Sequence, residues 1–191
     1  MKVTIRSDSI EISGYVNAVG RDSRPIKDSK GFFIEQVEPG AFARALDRQK
    51  PPMLLNHDVD HVIAKPENEN FEIREDAVGL YARAVITDAD VINKAKNGML
   101  RGWSFGFIAI KQRENEYDGM RHRVLEDIDL KEVSLLDNTR TPAYIATSVM
   151  TRDSSEEVSV REMEFQDVEV AEEREAVDYS EYNKVLEELT K

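Results

Sequence analysis

Three histidines, His57, His61 and His122, are the only side chains in the sequence that ordinarily titrate near neutral pH. A general base working at that pH is therefore sought among them first. His57 follows Met53-Leu54-Leu55-Asn56, so in a strand it shares a face with Met53 and Leu55. There it is either a structural histidine or a base. Ser104 lies in Gly102-Trp103-Ser104-Phe105-Gly106, a G-x-S-x-G pattern. The nucleophile-elbow fold needs its histidine after the serine, and only His122 follows here, so that fold is excluded. Ser104 instead opens the apolar run Phe105 to Ile108. It is either the first residue of a core strand or a hydroxyl that Gly102 and Gly106 leave open to a substrate backbone.

Glu132 is out of place in a different way. Alternation from Ile128 to Leu136 puts Ile128, Leu130, Glu132, Ser134 and Leu136 on one face. A carboxylate on a mostly apolar face is costly unless something donates hydrogen bonds to it. A histidine N–H serves, and the carboxylate then fixes its tautomer. A lysine or arginine serves as well. His57-Asp58-Val59-Asp60-His61 offers a metal site as a rival, but two histidines at that spacing need a helix to share a face. The segment has no helical period and Pro66 follows, so neither a metal nor another cofactor is expected. His61 and His122 read as surface residues.

The elements that must hold these groups are mainly strands. Ile10 to Val19 reads as one long or bent strand, with Phe32 to Val37 and Met53 to Asn56 as short ones. Phe71 to Arg74 and Leu80 to Ile86 read as a hairpin, and further strands are expected over Trp103–Lys111, Arg121–Leu125, Ile128–Leu136 and Tyr144–Val149. Helical spacing occurs twice. Phe42, Ala45 and Leu46 follow Pro39-Gly40, while Val91, Ile92, Ala95 and Met99 lie between a Thr87-Asp88 cap and Asn97-Gly98. The fold class expected is α+β, mainly β: a closed or nearly closed β barrel with flanking helices.

Composition divides the 191 residues into a domain at 1–150 and a tail at 151–191. The net charge is -12, and the tail holds 14 acidic and 5 basic side chains, leaving only -3 for the rest. Such a tail repels nucleic acid. It is expected to be partly disordered, with a short amphipathic helix on Tyr182, Val185, Leu186 and Leu189. Cysteine is absent, which excludes a thiol nucleophile and disulfides. Met1 to Arg6 lacks the apolar core of a signal peptide, and no run approaches the ~20 apolar residues of a membrane span. A soluble protein without a membrane partner is expected.

Five segments, in order, resemble the prohead serine protease family of tailed phages. They are Glu38-Pro39-Gly40-Ala41-Phe42, Leu54-Leu55-Asn56-His57-Asp58, Asp76 to Leu80, Gly98 to Phe107, and Leu130-Lys131-Glu132-Val133-Ser134-Leu135. The resemblance covers about residues 10–149. The resemblance implies an assemblin-like fold, as in the herpesvirus proteases, with Ser104 as nucleophile and His57 as base. Assemblins have a second histidine in third place, where this chain offers Glu132, with His122 a weaker candidate. An arginine-bearing loop in those relatives supplies the oxyanion-binding amide, which makes Arg140 its counterpart, although Asp137 to Pro142 departs from the Pro-Ala step common in the family.

The function so implied is a serine endopeptidase that cleaves the scaffolding segment of the major capsid protein, and itself, during virus head maturation. It would act in the host cytoplasm, inside the assembling procapsid, and its partners would include further copies of itself in a homo-oligomer. The tail would then keep the protease with the scaffold during assembly and be cut away later. The alternative is a non-enzymatic scaffolding protein on the same fold, which has no need of both His57 and Ser104.

Overall fold

The computed structural model describes residues 1–138, 148–151, 157–164 and 169–172. Strand β1 (Lys2–Ile5) pairs antiparallel with β2 (Ile10–Ala18). Next come β3 (Ile26–Asp28), β4 (Gly31–Val37), helix α1 (Ala41–Arg48), β5 (Met53–Leu55) and β6 (Asp58–Ala64). The hairpin β7 (Phe71–Glu75) and β8 (Gly79–Ile86) leads into helix α2 (Ala89–Lys96). Two 18-residue strands, β9 (Leu100–Tyr117) and β10 (Met120–Asp137), form the centre. Beyond them lie β11 (Ser148–Thr151), β12 (Glu157–Glu164) and β13 (Glu169–Glu172).

These strands make two sheets, one ordered β13-β1-β2-β8-β7 and the other β11-β12-β9-β10-β4-β3, with β5 also on β10 and β6 on β5. Neither path closes on itself among the described residues, so the expected closed barrel is corrected to two open sheets. The number of strands in a sequence does not say which edges meet. Here the free edge of β9 is taken by β12 rather than by a strand of the other sheet.

Both helices form where expected. Asp88 caps α2 by accepting the Val91 N–H, and Gly98, at φ 63°, follows its C-terminal end. Helix α1 is capped from a distance. Gly40, at φ 90°, carries no capping side chain, and both oxygens of Glu75 on β7 accept N–H groups of the first turn, from Gly40 and Ala43, each at 2.6 Å. Phe42 of α1 then packs edge-on against Phe105 of β9 at 5.4 Å between centroids. Both rings are fully buried, which stabilises the fold by about 1.5–3 kcal/mol per side chain.

Two expectations about strands change. Arg121–Leu125 and Ile128–Leu136 are one strand, because Glu126-Asp127 is absorbed as a bulge against β9 instead of a break. The β9–β10 hairpin turns at Asp118-Gly119, both at positive φ, the arrangement such turns favour. β10 is long enough to take β4 along Arg121–Leu125 and β5 along Val133–Leu135, on the edge opposite β9. The predicted strand at Tyr144–Val149 and the tail helix at Tyr182–Leu189 lie largely or wholly outside the described residues.

Trp103 ties the two sheets together. It is fully buried, and a Cβ at Gly14 of β2 would lie 3.0 Å from its Nε1, so only glycine lets the indole edge approach β2 so closely.

Candidate active site

His57 does not continue strand β5. The strand ends at Leu55, and Asn56 (φ 52°) and His57 (φ 63°) form a two-residue turn into β6, both left-handed. This is the backbone of a tight hairpin turn, in which the second position is usually glycine. A histidine there costs about 1–2 kcal/mol, which the surroundings must offset. Several hydrogen bonds do so. The Asn56 N–H donates to the Leu135 carbonyl at 2.9 Å, and the Asn56 side-chain oxygen accepts the Asp137 N–H at 3.0 Å. The His57 N–H donates to Ser134 Oγ at 3.1 Å.

The turn brings the imidazole to the buried C-terminal part of β10. His57 Nδ1 lies 2.8 Å from Glu132 Oε1, and both residues are 2% exposed. The second oxygen, Oε2, accepts the hydroxyl proton of Ser134 at 2.5 Å. Of the two partners that alternation allowed for Glu132, histidine is the one in contact. Ser134 joins the backbone of the turn to the carboxylate, which fixes where ring and acid meet.

Ser104 sits on β9 directly opposite Ser134, and Gly106 directly opposite Glu132. Paired residues on one sheet face bring their Cβ atoms to about 4.5–5.5 Å. Ser104 is therefore the nearest neighbour across the strand of the residue that binds both His57 and Glu132. The open space expected at Gly106 is taken: a Cβ there would lie 2.6 Å from Glu132 Oε1 and 3.2 Å from Val158 Cγ1. Glycine at 106 is what lets the carboxylate lie over β9.

The Ser104 hydroxyl is fully buried and donates its proton to the backbone carbonyl of Arg161 at 2.8 Å. A hydroxyl has one proton, so in this arrangement it is not given to His57. Arg161 belongs to β12, which runs antiparallel along β9 with Arg161 opposite Phe105 and Glu162 opposite Ser104.

The remaining candidates lie elsewhere. His61, on β6, contacts Asp88 Oδ2 through Nε2 at 3.0 Å. Burial works to raise the Asp88 carboxyl, but the Val91 N–H and His61 outweigh it and hold the group below the usual range. His122 packs edge-on against Tyr117 near the far hairpin, twelve residues along β10 from Ser134, roughly 30–40 Å of strand. Arg140 lies outside the described residues. Among the described residues no group of three or more His, Asp or Glu is arranged to hold a metal ion.

Three residues near the site escaped the sequence reading: Ser134, Arg161, and Glu35, whose carboxylate accepts hydrogen bonds from the Arg161 guanidinium. Glu35 was legible by the rule that singled out Glu132. It alternates with Phe33 and Val37 on the buried face of β4. Arg161 gave no signal, since an arginine in an acidic stretch reads as solvated.

A buried imidazole–carboxylate pair beside a buried serine is the set of groups a serine peptidase uses. The sequence model of the caudovirus prohead serine proteases matches residues 1–163, and the chain belongs to that family. It is a family of serine peptidases of phage capsid maturation. The match takes in β1 at one end and nearly all of β12 at the other. No curated protein and no solved structure matches the chain.

Proposed function

We propose that the chain is a capsid-maturation endopeptidase in which Ser104 is the nucleophile, His57 the general base and Glu132 the residue that orients it. The observation carrying this reading is the 2.8 Å contact between His57 Nδ1 and Glu132 Oε1, one strand away from Ser104 in a chain of a serine protease family. With its Nδ1 proton held by Glu132, the imidazole keeps Nε2 unprotonated to receive the serine proton. Ser104 Oγ then forms a bond to a peptide carbonyl carbon, and the imidazolium returns the proton to the leaving amine. Water, activated by the same histidine, hydrolyses the ester and restores the serine. The backbone amide of Arg140 is proposed as oxyanion donor, on the resemblance to assemblins alone. Such a donor typically contributes about 2.7–4 kcal/mol.

The substrates on this reading are the scaffolding segment of the major capsid protein and the chain itself, cut inside the assembling procapsid in the host cytoplasm. The test is to mix purified protein with its capsid precursor and follow the masses of both. Wild type should remove the scaffolding segment, and Ser104→Ala, with an unchanged circular dichroism spectrum, should not. Equal cleavage by both proteins, or cleavage by neither, would remove Ser104 from the role.

A further inference from the structure

We infer that β12 occupies the substrate cleft of its own chain, that the self-processing bond is Arg161–Glu162, and that Glu35 selects arginine before the cut. The inference rests on Ser104 being the nucleophile. It starts from the hydrogen bond that the Ser104 hydroxyl donates, which goes to the main-chain carbonyl of Arg161 and not to a side chain. That places the Arg161 carbonyl group at the nucleophile.

How the segment is held fits a substrate. It adds to the edge of β9 as a strand, from Ser159 opposite Phe107 to Glu164 opposite Gly102. Without it, that stretch of β9 is an open edge of unpaired N–H and C=O groups, a template for any extended peptide. Strand addition reads main chain, and specificity then comes from where alternate side chains go. Val158 and Val160 are buried at 6% and 2% exposure, and Val160 lies opposite Gly106. The Arg161 side chain takes the other face. Its Nε and Nη2 donate to the two oxygens of Glu35 at 2.5 and 2.9 Å, and the guanidinium lies 5.2 Å from the Phe107 ring centroid.

A strand that merely sealed an edge would place an apolar residue there. An arginine 7% exposed is costly unless a carboxylate waits for it. Glu35 does wait, and it does not depend on Arg161 for its charge balance. Arg123, on β10, already donates to Oε2 of Glu35 through both Nε and Nη2. If β12 leaves, Glu35 keeps that neutralising partner and Oε1 is free for the next arginine. A carboxylate held this way, with an aromatic face beside it, is a site for a planar guanidinium.

The chemistry is balanced by water alone. Once the hydroxyl turns its proton from the Arg161 carbonyl to His57, Ser104 Oγ bonds to the Arg161 carbonyl carbon, the bond to the Glu162 nitrogen breaks, and the proton passes from His57 to that nitrogen. Hydrolysis of the ester releases a chain ending at Arg161. The substrate class that follows is an extended peptide with arginine before the cut and β-branched apolar residues immediately before it and two positions earlier.

The experiment follows the intact mass of the purified full chain over a day at high concentration, alongside cleavage of the capsid precursor. Expected are fragments 1–161 and 162–191 from wild type, neither from Ser104→Ala, slower processing of Arg161→Lys and none of Arg161→Gln, which still cuts the precursor. A twelve-residue peptide of residues 156–167 should be cut after its arginine. Replacing that arginine by glutamine should lower kcat/KM roughly 100-fold in wild type and little in Glu35→Gln. A merely structural role for Glu35 would lower both peptides alike. Ser104-dependent clipping of wild type elsewhere, or a wild-type chain that stays whole while it cuts the precursor, would overturn the inference and leave the protease reading standing. Loss of both activities would sink the protease reading itself. Should Glu35→Gln fail to fold, the Arg161 variants and the peptide pair on wild type still decide.

Discussion

Gly106 and Glu132 face each other across β9 and β10 so closely that a methyl group on the first would lie 2.6 Å from Oε1 of the second. That oxygen is the one in contact with His57 Nδ1. Replacing Gly106 by alanine therefore cannot leave the imidazole–carboxylate pair undisturbed, because the carboxylate must move and Val158 stands on the other side. Gly106→Ala should cost about 1–3 kcal/mol of stability, as overpacking does. The drop in kcat should be far larger than the loss of folded protein explains. Thermal unfolding measured beside single-turnover cleavage checks it. Normal activity in a folded variant would show that the position of Glu132 does not matter to the reaction.

Glu132→Gln separates the charge of that residue from its shape. If the amide N–H₂ of glutamine turns toward His57 Nδ1, the ring proton moves to Nε2 and the base is lost. The proposed mechanism then predicts a fall in kcat of about 10²–10⁴, less than the roughly 10⁶ expected for Ser104→Ala. The comparison is read from kcat for the same substrate, and an unchanged rate in Glu132→Gln would remove this residue from the scheme.

What could be read from the sequence was whatever follows from alternation and capping within one element. Glu132 on an apolar face, Asp88 before α2 and the strands from Phe71 to Ile86 all follow from local pattern, and the structure has them so. What could not be read were relationships between elements distant in sequence. The remote cap on α1 joins Gly40 and Ala43 to Glu75, and the cover on Ser104 joins it to Arg161. The turn at Asn56-His57 was missed for another reason. A left-handed histidine is disfavoured by its own backbone, so no local rule proposes it, and the bonds with Ser134, Leu135 and Asp137, all distant in sequence, help to hold it. The same preference explains why β6 was not foreseen, since the hairpin it completes depends on that turn.

Ser134 should matter to activity without touching substrate. Its Oγ accepts the His57 N–H and donates to Glu132 Oε2, so it fixes the relative placement of the imidazole and the carboxylate. Ser134→Ala leaves a buried N–H unsatisfied, which costs about 1–3 kcal/mol. A positioning role predicts a lower kcat with KM little changed and an altered pH profile. Ser134→Thr, which keeps the hydroxyl, should recover part of the rate. A variant that loses stability alone would make Ser134 a structural residue.

Glu75 tests how far the site depends on the helix packed beneath it. Its carboxylate binds the first-turn N–H groups of α1, the helix that places Phe42 against Phe105, one residue along β9 from Ser104. Nothing else among the described hydrogen bonds caps those two groups. Glu75→Ala should therefore cost about 0.5–2 kcal/mol, the range for loss of a capping side chain. Glu75→Gln, which keeps one acceptor oxygen, should cost less. Because the cap acts through packing and not through the reacting groups, kcat per folded molecule should be nearly unchanged at temperatures well below the transition. Unfolding curves and active-site titration with a serine-directed reagent distinguish the outcomes. A large loss of kcat in fully folded Glu75→Ala would mean that α1 sets the geometry of β9 around Ser104 more tightly than its contacts suggest.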